Sequence, residues 1–449
     1  MVEVRYSEDG TVLLSAQGAE GHFVVPDTVT EIGAQAFLCC TKLISVELPP
    51  SVVKIGERAF MYCARFRKIV LPANLREIGM EAFRGCISLT AIDFPDTLRE
   101  ISMAAFQGCV HLESIKLPES LHTLGVEAFM SCSKLKSAVL PDSLIEIRDS
   151  VFWECINLTE IRLPSQLTTI GPWAFRECKE LQKIEVAGSI ESIGTGAFSY
   201  CTNLKSVNIK GTVGNIETNA FLNCEGIKNL ELNAKVINEH AFSRCTGLQT
   251  VVLSDALTYV GREAFAGCQN LRAINIPASI EDMQNGVFKD CPSLREIHSQ
   301  VVDLHAFHSN KPIVEDIDIP SCILYVPAGT EKAYREHGAF CEIFQICTEE
   351  NPEEEYVEEE PALLTEENKQ PEPQTDTKNS FTCKVVRVVY HDSRSGRTIM
   401  SVVKGENDKF SVIGNIDNVE AGDTLHVNGS WKKDEKYGWQ FLAKEITHM

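Results

Sequence analysis

One spacing governs what most of this chain can fold into: a phenylalanine that returns every 23 residues. The anchors are Phe37, Phe60, Phe83, Phe106, Phe129, Phe152, Phe175, Phe198, Phe221, Phe242, Phe265 and Phe288, with one shorter step of 21 between Phe221 and Phe242. A cysteine follows each anchor by three residues, from Cys40 to Cys291. A leucine commonly follows by six, as at Leu43, Leu89 and Leu112, with Phe66 and Ile227 as variants. Five residues ahead of each anchor stands Ile, Leu, Val or Met. Twelve units in register demand a repeat architecture, in which each unit buries its apolar face only against its neighbours.

Within a unit, Ser45-Val46-Glu47-Leu48-Pro49 alternates as a half-buried strand and Pro49 ends it. Val52-Val53-Lys54-Ile55 predicts a second short extended piece, stopped by Gly56. Ala59, Phe60, Cys63 and Phe66 then fall on one face of a short helical turn. Stacked one strand spacing apart, twelve such coils predict a right-handed curved rod on the order of 60 Å long. A cysteine at one inward position of every coil reads as a small buried hydrophobe. No pair of C-x2-C type accompanies it, so neither metal nor cofactor is expected. An array of free thiols also fits a reducing compartment.

The run from Leu71 to Cys86, Leu-Pro-x-x-Leu-x-x-Ile-Gly-x-x-Ala-Phe-x-x-Cys, resembles the BspA-type leucine-rich repeat. Val25–Gly33 resembles that family's first repeat and Ile323–Tyr334 its terminal cap. The resemblance implies a leucine-rich-repeat solenoid over 1–298, a cap over 299–347, and a protein partner on a concave sheet. Its members are mostly adhesive or protein-binding surface proteins. Met1–Gly10 shows no basic stretch leading into an apolar one, and no run of 18 apolar residues occurs. A cytoplasmic protein without membrane insertion is therefore expected, with a cell-surface adhesin as the alternative.

Outward strand positions lie eight and ten residues after each anchor. The candidate protein-binding face drawn from the second set is Glu47, Asp93, Lys116, Arg162, Glu185, Asn208, Glu231 and Asn275. These residues are mixed in sign and lack aromatics, a poor track for nucleic acid.

Charge then divides the chain. The formal net charge is −21, and residues 348–379 alone hold twelve Asp/Glu against two Lys. This Glu/Pro/Gln/Thr-rich stretch, taken as 348–380, reads as a disordered acidic tether that buries too little apolar area to fold. Residues 381–449 carry ten Lys/Arg and nine Asp/Glu. Five strand-like runs there, separated by Gly-, Asn- and Asp-rich turns, predict a small all-β OB barrel. Gly414-Asn415-Ile416, Gly422-Asp423, Gly429-Ser430-Trp431 and Lys436 to Phe441 resemble the N-terminal OB domain of RecD-like ATP-dependent DNA helicases.

An OB barrel binds through strands 2–3 and two of its loops. Here those offer Tyr390, Arg394, Arg397, Lys404, Lys409, Phe410, Trp431, Lys432, Lys433, Tyr437 and Trp439. Cations interleaved with aromatics suit single-stranded nucleic acid. Aromatics inside the barrel beneath solvating lysines, or a second protein partner, fit the same residues. The chain contains no G-x-x-x-x-G-K-[ST] loop, zinc spacing or G-x-S-x-G motif, so no catalytic residue is nominated and a non-enzymatic adaptor is expected.

Overall fold

The structure, a computed structural model, describes residues 3–305, 307–308, 312–314, 322–340, 343, 345–348, 380–391, 397–404, 408–416, 423–434 and 438–448. The chain divides into two units, Met1–Asn351 and Pro352–Met449.

The first unit is a solenoid whose coils each visit three faces. On one face, two-residue strands pair in parallel with the same positions one repeat away: Lys54–Ile55 lies between Glu31–Ile32 and Glu77–Ile78. Glycine after the strand, as at Gly56, is required by close approach. A Cβ there would stand 2.8 Å from the Ile32 carbonyl oxygen of the preceding coil. On the second face, longer parallel strands such as Lys183–Val186 and Ser206–Ile209 carry the outward rows.

The third face departs from the expected helical turn. Met61 N–H bonds to Arg58 C=O, Cys63 N–H to Phe60 C=O and Phe66 N–H to Cys63 C=O, a chain of three-residue turns. Arg58 and Tyr62, two residues either side of the anchor, take φ of +53° and +59°. The same two offsets are left-handed in the neighbouring coils, at Glu81 and Gly85 and at Ala104 and Gly108. A left-handed non-glycine residue costs roughly 1–2 kcal/mol. Here it turns alternate N–H groups along the solenoid axis. Arg58, Phe60 and Tyr62 donate to the carbonyls of Met80, Ala82 and Arg84 in the next coil at 2.7–2.8 Å. An α-helix would spend those donors within its own coil, so the array gains a third inter-coil ladder instead. Among the described residues the only α-helix is Glu331–Glu336, in the cap.

The anchors form a single buried column. Successive rings from Phe37 to Phe288 lie 4.9–6.0 Å apart with interplanar angles of 2–22°. Coiling continues past both ends. Glu3–Tyr6 folds back on Val12–Gln17, which pairs with Glu31–Ile32. At the other end, Ile323–Val326 and Gln345–Thr348 extend the longer-strand sheet. The turn-face ladder continues there, Gly286 and Phe288 donating to Pro312 and Ile313, and Ile313 in turn to Ala339. Tyr334 plugs this end, its hydroxyl 2.6 Å from Ser299 Oγ and 2.7 Å from the Val301 carbonyl.

The second unit contains a closed five-stranded barrel of Ser380–His391, Arg397–Lys404, Asp408–Asn415, Thr424–Asp434 and Gly438–His448. The first strand pairs with the second and fourth, the third runs parallel to the fifth, and the fourth pairs with the fifth. Phe381 and Phe441 meet edge-on at 4.6 Å in a core completed by Met400, Val402, Val412 and Leu425.

Candidate interaction surfaces

The candidate sheet-face residues stand in one outward row. Glu47, Asp93, Lys116, Arg162, Glu185, Asn208 and Glu231 are exposed, while Asn275 is half-buried. Its amide is tied to the neighbouring coil, accepting from Leu253 N–H at 3.1 Å and donating to Leu253 C=O at 3.0 Å. Arg162 is ion-paired with Asp142 at 3.2 Å and Glu185 with Lys183 at 3.4 Å. The row also exposes Val70 and Val252, and it ends on His298 stacked 4.5 Å from Tyr325 of the cap.

Cysteines occupy the inward position expected of them, but each thiol also does something a hydrophobe cannot. From Cys63 to Cys291 every Sγ–H donates to the carbonyl of the previous coil's anchor phenylalanine, at 3.1–3.4 Å. Burial pushes the thiols from Cys63 to Cys268 up, Cys132 and Cys245 to about 12. All sixteen cysteines among the described residues are free.

Sequence reasoning missed the turn face, where most of the solenoid's exposed aromatics and methionines collect. Tyr62 lies across the next coil's Gly85, whose φ is +69° and whose absent Cβ would fall 2.5 Å from the ring. Trp173 covers Gly196 in the same way. The Arg176 guanidinium contacts two rings, 5.6 Å from Trp153 and 5.2 Å from Tyr200. Glu81 is buried here between Arg58 and Arg84. Its burial raises the carboxyl's pKa, but hydrogen bonds from the two guanidinium groups outweigh that and leave it lowered. Farther along, Asn223, Arg244, Gly267, Gln269 and Asp290 line a polar hollow of about 620 Å³. The signal for this face was present in the sequence as residues one or two positions from each anchor. Assigning them to a helical turn hid the inter-coil ladder that aligns them from one coil to the next.

In the barrel, Tyr390, Arg397, Lys404, Lys409, Phe410, Trp431, Lys432, Lys433 and Trp439 all lie on strands. Lys433 is opposite Trp439, Trp431 opposite Phe441, and Lys409 opposite Val403. The side chains of these nine lie outside the described residues, as do Arg394, Tyr437 and the tether 349–379 altogether. No metal-binding group of three His, Cys, Asp or Glu occurs among the described residues. No helix among them is long and apolar enough to cross a membrane.

Comparison with known proteins assigns both units. The BspA type leucine rich repeat region (6 copies) matches residues 20–136, 53–181, 123–236, 170–296 and 216–328. The OB-fold domain of ATP-dependent DNA helicase YrrC matches residues 378–449. No match is found among curated proteins. Among solved structures, a leucine-rich repeat protein from Bacteroides ovatus is 25% identical, covering 77% of this chain and 98% of its own, with a TM-score of 0.54. A T. pallidum leucine rich repeat protein is 32% identical over 40% of this chain and 87% of its own, with a TM-score of 0.37. A leucine rich cell surface protein from Faecalibacterium prausnitzii is 24% identical over 77% and 92%, with a TM-score of 0.45. With its repeats matched from residue 20 to residue 328, the chain belongs to the BspA-type leucine-rich repeat family and ends in an OB-fold domain of the YrrC helicase type.

Proposed function

We propose that this protein is a non-enzymatic adaptor: the solenoid captures a protein partner along its outward sheet row, and the barrel contacts single-stranded nucleic acid. The observation that carries this reading is the pairing of a repeat surface with a barrel similar to one domain of a DNA helicase, joined by an acidic segment. The helicase domain's likeness supports the nucleic-acid arm, and the cations on barrel strands supply its phosphate contacts. A reducing compartment such as the cytoplasm fits the free thiols.

The test is fluorescence anisotropy of a labelled single-stranded oligonucleotide titrated with the full chain at low and physiological salt. Binding that weakens as salt rises, and falls at least fivefold on combined Arg397→Ala, Lys432→Ala and Lys433→Ala substitution, supports the reading. Absence of binding at low salt sinks the nucleic-acid arm and leaves the barrel as a second protein-binding module.

A further inference from the structure

We infer that the last five coils carry a cationic stripe that docks an acidic segment of a partner protein. Seven residues past each anchor, where the turn face meets the longer-strand sheet, stand Lys205, Lys228, Gln249, Arg272 and Arg295 in consecutive coils. The four cations are exposed and Gln249 is half-buried. At the same position the earlier coils set Arg67 between Ile44 and Thr90, and Lys136 between Glu113 and Thr159, so no two cations adjoin there. Lys136 is also neutralised by Glu113 of the preceding coil, at 3.2 Å.

Stacking places members of the stripe one strand spacing apart, roughly 4.8 Å. Backbone bonds hold the row: the N–H groups of Gln249, Arg272 and Arg295 donate to the carbonyls of Lys228, Gln249 and Arg272 at 2.7–3.1 Å. Lys205 therefore adjoins Lys228, and Arg272 adjoins Arg295. Like charges on neighbouring strands repel unless a counter-charge lies between them. Among the described residues no carboxylate is ion-paired with Lys205, Lys228 or Arg272. Glu225 and Glu231 stand three residues either side of Lys228 without pairing to it. The residues next to the row are mostly small and uncharged, Gly226, Gly247 and Asn270 on one side and Ser206, Asn229 and Thr250 on the other. Gly226 and Gly247 keep one flank flat, since a Cβ on them would stand 2.7 and 2.1 Å from the carbonyl oxygens of Leu204 and Glu225. Glu296, beside Arg295 at the far end, lies 3.4 Å from His298.

Unpaired like charges in a row call for an anion, and the surroundings select its kind. No aromatic side chain stands in the stripe or immediately beside it, which withholds the base stacking that single-stranded nucleic acid uses. Four strand spacings make the stripe about 20 Å long, the length of about six residues of extended peptide. A long polyanion would overrun it onto Glu180 and Glu185 of the coil before, both exposed. Lysine and arginine stems reach and adapt, so charge density rather than exact register sets recognition. The inference rests on the solenoid's being the partner-binding part of the adaptor, and it adds the chemistry of the partner.

The probe is a labelled 12-residue peptide alternating Glu and Ser, titrated into the full chain by fluorescence anisotropy at low and physiological salt. A Gln/Ser peptide and a labelled 12-nucleotide oligothymidylate accompany it. Saturable binding of the Glu/Ser peptide, weakened by salt and absent for Gln/Ser, is expected. Its Kd should rise at least tenfold in Lys205→Gln/Lys228→Gln/Arg272→Gln. It should stay unchanged in Lys116→Ala/Arg162→Ala on the sheet row and in Arg397→Ala/Lys432→Ala/Lys433→Ala on the barrel. No binding at low salt, equal binding by the stripe variant, or a loss confined to the sheet-row or barrel variant overturns the proposal. So does a tenfold loss of oligonucleotide binding in the stripe variant, which would make the stripe a nucleic-acid surface. Peptide binding that emerges only in Glu353→Gln/Glu354→Gln/Glu355→Gln overturns it too, since the chain's own acidic segment would then be the occupant. The oligonucleotide and the barrel variant report on the nucleic-acid arm separately, so failure here is distinguishable from failure of the adaptor reading.

Discussion

Raising the pH should unfold the solenoid far earlier than its surface chemistry alone would require, because nine consecutive rungs hold thiols that cannot ionise in place. Cys86, Cys109, Cys132, Cys155, Cys178, Cys201, Cys224, Cys245 and Cys268 are fully buried, and desolvation raises the pKa of every one. Cys132 and Cys245, at about 12, bound the folded side of the window. A thiol raised in the folded state contributes its stability in full below the unfolded pKa, about 8.5, and loses it as pH climbs toward the folded value. At pH 10 the unfolded chain gains about 2 kcal/mol per thiol from ionisation, or about 18 kcal/mol for nine. Total stability for an array of this length is on the order of 15–45 kcal/mol. The thiols alone can therefore remove a large share of it between pH 8.5 and 10. Urea unfolding in the presence of a non-thiol reductant, followed by circular dichroism at half-unit steps from pH 7.5 to 10.5, measures the slope. Cys109→Ala/Cys132→Ala/Cys155→Ala should be less stable at pH 7.5 yet lose about one third less on going to pH 10. A flat profile in the parent, or the same pH slope in the triple variant, refutes the reasoning.

Other perturbations test the packing rung by rung. Phe152→Ala removes a ring stacked on two neighbours and should cost about 3–5 kcal/mol, read from urea midpoints. Gly194→Ala places a Cβ 2.6 Å from the Gly171 carbonyl carbon and should cost about 1–3 kcal/mol, read from the melting temperature. Glu81→Gln should cost about 1–2 kcal/mol at neutral pH, a figure reduced because Arg58 and Arg84 are over one third exposed. Since the Glu81 carboxyl is lowered, that difference should be present above the ordinary carboxylate range and vanish on acidification, as parallel melts from pH 7 to pH 3 would show.

The 23-residue spacing made the array legible because stacking forces identical residues into identical environments. Phe60, Cys63 and Ile55 could be placed in the core from periodicity, and all three are fully buried. What periodicity cannot supply is backbone handedness. Ala59, Phe60 and Cys63 fit one face of a helix as well as they fit a string of tight turns. The deciding energy is long-range: N–H groups of Arg58, Phe60 and Tyr62 find carbonyls 22 residues ahead. Within a single unit, nothing marks those partners.

That same choice governs what the turn face presents. With a helical turn, residues two before and two after the anchor would also share a face, but their N–H groups would be spent within the coil and no ladder would tie that face to the next coil. With left-handed residues at both offsets, Glu127 and Ser131 or Trp173 and Glu177 flank their anchors on one surface and align with their counterparts in the next coil. Side chains there lean over the following coil, so a large residue is matched by a glycine one repeat later: Tyr62 with Gly85, and Trp173 with Gly196. A pairing of this kind shapes surface relief independently of the core, which is held by the phenylalanine column and the thiol ladder. The array can thus vary what it presents on the turn face while every anchor stays in place, and the methionines between Met61 and Met130 are where this chain has used that freedom.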